Sequence, residues 1–117
     1  MHSILSLHSK AQKKALGAIA ATYVAGTNHI EFAENVRYVT LDLTASAVAY
    51  LYMLASLEAV TDPATDLGDD SLRYRFTVKT KANGGTVVEL AFDAPVKHLY
   101  FLTDAGTVDA AILGFAK

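Results

Sequence analysis

The chain has 117 residues, of which 52% are hydrophobic and 19% charged, with a formal net charge of −2 and no cysteine. That length fits one domain with a single modest core, and the apolar content excludes a disordered chain. The charge balance offers no long-range attraction to nucleic acid or an anionic membrane, and the missing thiols exclude disulfides, zinc–thiolate sites and a cysteine nucleophile.

The N-terminal stretch reads as a helix over 3–25. Ser3 is a plausible N-cap, and Ile4, Leu7, Ala11, Ala15 and Ile19 recur at helical spacing. Gly26-Thr27-Asn28 then supplies a stop. This predicts an N-terminal helical arm, 1–28, in front of a β-domain, 29–117. Lys10, Lys13 and Lys14 before the apolar run 15–25 superficially resemble a secretory signal. Ile4, Leu5 and Leu7 inside the would-be basic region count against it. No run approaches the roughly 20 apolar residues of a membrane-spanning helix.

From His29 onward the period changes to that of strands. Val39, Leu41 and Leu43 share one face of a strand at 36–43, followed by a turn at Thr44-Ala45-Ser46. The segment 47–60 has helix-favouring Ala, Leu and Met, but Val48, Tyr50, Tyr52 and Leu54 alternate as a strand does. Read as a strand to about Leu54, it forms a hairpin that sets Val39 against Leu51 and Tyr38 against Tyr52. Residues 61–71, with Pro63, Gly68 and four Asp, read as a surface loop with nothing to bury.

Residues 72–93 carry the strongest local signal. Leu72, Tyr74, Phe76 and Val78 alternate with Arg73, Arg75, Thr77 and Lys79, and Asn83-Gly84-Gly85 marks a reversal. A three-residue loop there pairs Val78 with Leu90, Phe76 with Phe92, Lys79 with Glu89 and Arg75 with Asp93. Pro95 then breaks the chain. A last hairpin, 96–103 with 107–115, turns at Ala105-Gly106 and sets Leu99 opposite Ile112 and Phe101 opposite Ala110. Strands at such intervals predict a mainly β fold, an antiparallel β-sandwich or jelly-roll-like barrel with an N-terminal α-helix.

Chemistry-bearing motifs are sparse. Asp62, Asp66, Asp69 and Asp70 could offer oxygens to calcium, but their spacing is not that of a calcium loop and no Glu closes it. His2, His8, His29 and His98 lack zinc-site spacing. His98 with Asp104 or Asp109 could be drawn as part of a catalytic triad, a combination any chain of this size offers by chance. Arg73, Arg75, Lys79 and Lys81 could track phosphates, yet Glu89 and Asp93 would neutralise half of that stripe in the expected register. Tyr38, Tyr50 and Tyr52 would cluster on one sheet face as core, interface or sugar platform.

The runs NVRYVTLDLTASAVAYLYM and VKHLYFLTDAGTVDAAILGFAK resemble those of small β-sandwich proteins of bacteriophage virions, such as capsid-decorating, collar or spike-base subunits. The resemblance implies a structural role in many copies, as trimers or other cyclic oligomers, located in the virion. Surplus apolar surface for one small domain points the same way. The expectation is a non-enzymatic, homo-oligomeric subunit of a larger assembly, with no cofactor and no nucleic-acid or membrane partner. Its contacts with itself and with other subunits would use Ile4, Leu7, Leu16, Ile19 and Tyr23 of the arm and Tyr38, Tyr50 and Tyr52. The alternative is a carbohydrate-binding β-sandwich module that stacks sugars on those tyrosines.

Overall fold

The computed structural model describes residues 12–116. Six strands and one short helix follow in the order β1 (Gln12–Ile19), β2 (His29–Ala45), β3 (Ala49–Ser56), α1 (Pro63–Leu67), β4 (Tyr74–Val78), β5 (Thr86–Thr103) and β6 (Val108–Phe115). They form one antiparallel sheet in the order β1-β6-β2-β5-β3-β4.

That order has a simple origin. The first strand pairs with the last, the second with the fifth and the third with the fourth. The chain is therefore one long two-stranded ribbon whose tip is the segment 57–73. The ribbon winds on itself, and the winding adds two further ladders, β6 on β2 and β3 on β5. Leu41, for example, lies opposite Val88 on one side and Ile112 on the other.

The long strands β2 and β5 divide the sheet into two halves. One half contains β1, β6, the end of β2 (38–45) and the start of β5 (86–91). The other contains the start of β2 (29–31), the end of β5 (98–103), β3 and β4. Register shifts between Glu31 and Val36 and between Val36 and Tyr38 mark the bend in β2. Its irregular backbone is partnered by the Gln12 side chain, which accepts from Ala33 N at 2.7 Å and Glu34 N at 3.3 Å. Pro95 lies at the matching place in β5, bending the strand rather than breaking it, where the missing N–H costs no regular ladder bond.

Inward side chains from both halves meet in one core. Val39, Leu41, Leu43, Ile112 and Val108 pack with Leu51, Met53, Leu99, Phe101 and Val78. The alternation expected for 36–43 is thus observed, as is a strand in 47–60.

The expected partners are not. All three expected hairpins give way to other ladders: Val39 pairs with Leu90 and Gly114, Tyr52 with Arg75 and Leu102, and Phe101 with Met53. The turn at 83–85 forms, with Gly84 and Gly85 at φ of 88° and 64°, but β4 leaves it for β3 while β5 leaves it for β2. Alternation fixes which face of a strand is apolar and does not name its neighbour.

The helix expected over 3–25 is also corrected. Gln12–Ile19 is an edge strand within the sheet, and 1–11 lie outside the described residues. The misleading signal has a local cause. The register shifts between Ala15 and Gly17, so Leu16 and Ile19, three apart, both contact the core. A bulge in a strand mimics helical spacing.

The segment 61–71 does bury something. Leu67 is fully buried against Leu54 and Tyr100, with Tyr23, Tyr52, Val60 and Leu102 around them. Asp62 caps α1, accepting from Thr65 N at 3.3 Å, and Pro63 starts the helix.

Candidate functional site

The two halves differ on their outer faces. On the half built from β3, β4 and the end of β5, the ribbon tip folds back and covers Tyr100, Leu102 and Leu54 with Leu67 and Val60. Val60 N donates to the Tyr100 hydroxyl at 2.8 Å and fixes that cover. On the other half the outward residues are Tyr38, Thr40 and Asp42 of β2, Ala111, Leu113 and Phe115 of β6, and Val87, Glu89 and Ala91 of β5. Tyr38 and Val87 stay 46% and 63% exposed, and among the described residues no second cluster forms over this face.

Ladder register sets these residues in rows. Tyr38 lies between Phe115 and Ala91. The next row reads Lys13, Leu113, Thr40, Glu89 across β1, β6, β2 and β5. Beyond it Asp42 lies between Ala111 and Val87. A shallow groove of about 510 Å³ runs along Lys13, Lys14, Asp42, Thr40, Ala111 and Leu113. A second depression of about 410 Å³ lies beside it between Tyr38, Phe115, Glu89 and Ala91. The face is mostly apolar at its centre, with a cation at one edge and an anion at the other.

The expected site residues are dispersed. Ile19 belongs to the main core, Leu16 packs against that core, and Tyr23 joins the cluster under the ribbon tip, so these three serve the chain's own packing. Ile4 and Leu7, with His2 and His8, lie outside the described residues. Tyr38, Tyr50 and Tyr52 do not form one cluster. Tyr38 is on the uncovered face, while Tyr50 and Tyr52 lie on β3 with Arg75 and Arg73 over their rings at 4.8 and 3.9 Å. Arg73 also donates to Leu67 O at 2.6 Å and pairs with Asp70, which ties the basic stripe to the ribbon tip.

The acidic residues of the tip are used locally. Asp62 accepts from the Thr65 hydroxyl at 2.7 Å as well as from its N–H, and those bonds hold its carboxyl below the usual range. Asp69 is lowered in the same way by Ser71, whose hydroxyl and N–H donate at 2.8 and 2.9 Å. Among the described residues no three acidic or histidine side chains converge as metal ligands. His98 takes His29 as its partner, not Asp104 or Asp109, with His98 Nδ1 and His29 Nε2 2.9 Å apart. Asp104 accepts from Tyr50 N at 2.8 Å.

The sequence did carry a sign of the uncovered face. In β6 the inward set Val108, Ala110 and Ile112 is apolar, and beyond Asp109 the outward set is apolar too, with Ala111, Leu113 and Phe115. A strand apolar on both faces is one covered on both faces. β3 has the same pattern, and there the ribbon tip provides the cover.

No helix among the described residues is long and apolar enough to cross a membrane. The chain matches no family model, no curated protein and no solved structure.

Proposed function

We propose that this protein is a non-enzymatic structural subunit of a larger symmetric assembly, of the kind that small β-proteins form in virions. The single observation that carries the reading is the outer face of Tyr38, Leu113, Phe115 and Val87, which the described residues leave uncovered, set against a second outer face that the ribbon tip covers. A contiguous apolar sheet face on a small domain is the usual mark of an interface. The wound-ribbon strand order supports the finer reading of a jelly-roll-like barrel, an architecture that viral capsid domains share with lectins.

The sugar-binding alternative draws less support. Two of its three tyrosines carry an Arg guanidinium over the ring that a sugar would need.

The test is the mass of the full chain in solution, alongside a form lacking only residues 1–11, which leaves β1 whole. A subunit of this kind gives a concentration-dependent oligomer whose mass is unchanged by sugars or calcium. If the chain stays monomeric while its tyrosine fluorescence responds to a glycan, the structural reading fails. Loss of the oligomer in the shortened form would assign the contacts to the segment containing Ile4 and Leu7.

A further inference from the structure

We propose that the uncovered face is the interface of a two-fold dimer in which Lys13 of one copy sits over Glu89 of the other. The inference rests on the self-assembling reading above and names the surface and the geometry.

The row Lys13, Leu113, Thr40, Glu89 crosses four neighbouring strands in register, with opposite charges at its ends. Strands lie about 4.8 Å apart, so the two charges are separated by about 14 Å within one chain. Neither forms an ion pair among the described residues. Both are exposed, and the residues between them are only partly so.

Two sheets packed face to face by a two-fold axis can be related by an axis along the strands or one across them. An axis across the strands lays Lys13 on Lys13 and Glu89 on Glu89. An axis along the strands, between β6 and β2, lays Lys13 over Glu89 at both ends of the row. Like charges brought together in an interface are strongly disfavoured and opposite charges set register, so the charge pattern selects the second axis. Both axes keep the strand lines of the two sheets aligned, the common geometry for stacked sheets, so the choice rests on the charges. In the neighbouring row the axis along the strands brings Phe115 of each copy to Tyr38 of the other, two aromatic contacts related by symmetry.

Two carboxylates oppose burial here, Asp109 beside Thr44 at the end of the face and, nearer its centre, Asp42. It shares the groove of about 510 Å³ with Lys13 and Lys14, which leaves room for an ammonium group or water beside its carboxylate. The face spans four strands over about eight residues, roughly 20 by 25 Å, or about 1,000 Å² counted over both copies. That lies at the lower limit of specific interfaces, so the dimer should dissociate in the micromolar range.

The experiment is sedimentation velocity on the full chain from about 1 to about 200 μM, comparing the wild type with Lys13→Glu, Glu89→Lys and the double exchange. Each single reversal is expected to weaken association by about tenfold or more, because two attractive contacts become repulsive. The double exchange should restore it to within about threefold of the wild type. All four proteins should share one circular-dichroism spectrum and one melting temperature when dilute, since both side chains are exposed. If the wild type self-associates and the single variants do so equally well, or the double exchange fails to recover, this interface is wrong while self-assembly stands. A trimeric mass overturns the two-fold geometry in the same way. A wild type that is monomeric throughout overturns the homo-oligomeric reading itself.

Discussion

His29 Nε2 and His98 Nδ1 lie 2.9 Å apart across the β2–β5 ladder, so one imidazole donates a hydrogen bond to the other. His29 also stacks on Tyr100, with ring centroids 4.3 Å apart and planes inclined by 6°. Around the pair stand Glu31 and Lys97, which form an ion pair at 3.5 Å, and the ring of Tyr100. Burial is the largest influence on His29 and lowers its pKa. The neighbouring His98 lowers it further, while Glu31 acts in the opposite direction.

This arrangement predicts acid sensitivity with a definite sign. The folded chain holds a proton on His29 less readily than the unfolded chain, whose histidines titrate near about 6.5. The contribution is therefore fully present above that value and is lost as pH falls through it toward the lower folded value. Urea unfolding at several pH values between about 8 and about 5 should show the midpoint falling with pH in that window. In His29→Gln the slope should be shallower over the same window. An equal slope in that variant would mean that other groups set the acid response.

A second prediction concerns Asn28, which is fully buried beside this pair. Its amide donates to Ala20 O at 3.0 Å and Phe101 O at 2.8 Å, and its Oδ1 accepts from Val24 N at 3.0 Å. One side chain thus ties the end of β1, the 20–28 turn and β5 together. Asn28→Ala strands three polar groups and should cost about 2–4 kcal/mol, since each buried unpaired group costs about 1–3 kcal/mol before water re-enters. Asn28→Asp keeps the acceptor but sets a carboxylate against two carbonyl oxygens, which raises its pKa. Protonation then relieves it, so this variant should gain stability relative to the wild type as pH falls. Denaturation of both variants at neutral and acid pH separates the two effects.

The strand faces were legible in the sequence because alternation is a local property: Val39, Leu41 and Leu43 read inward and lie inward. The ladders were not, since in this wound ribbon only β3 and β4 are both consecutive and adjacent. Lys79–Glu89 and Val78–Leu90 make a chemically sensible hairpin on paper. The alternative partners, Ala49 for Val78 and Val39 for Leu90, are just as sensible, and only the closure of the whole core chooses between them. The candidate face was less legible: Tyr38 reads as an aromatic on a strand face, but Lys13 and Glu89 lie in different segments and meet in one row only through β6 and β2.

Gly114 offers a test of how tightly the two halves close. A Cβ there would lie 2.7 Å from Cε1 and 3.0 Å from Cζ of Phe32, and 3.1 Å from Cγ1 of Val36. Phe32 is fully buried, so the ring has little room to move aside. Gly114→Ala should cost about 1–3 kcal/mol, the usual range for overpacking. Shortening the opposing side chain should relieve it, so Gly114→Ala with Phe32→Leu should be less unstable than the sum of the single changes. Strict additivity would show that the strain, if any, lies elsewhere in β6.

Leu67 tests the contrast between the two outer faces. It is the fully buried residue of a five-residue helix, and its cover over Leu54 and Tyr100 depends on few other large apolar side chains. Leu67→Ala removes that plug and should cost about 2–5 kcal/mol if the tip and the core unfold together. A short segment held by one small cluster can instead open on its own. In that case the global midpoint changes little, but amide exchange at Val60, whose N–H bonds to the Tyr100 hydroxyl, speeds up. Local opening has a further consequence for assembly. It bares Tyr100 and Leu102 and gives the second half an apolar outer face like the first, so Leu67→Ala should associate more strongly and less specifically than the wild type. Sedimentation of this variant should show species larger than a dimer that Lys13→Glu does not suppress. Unchanged association would mean that the ribbon tip stabilises the fold without shielding an adhesive surface.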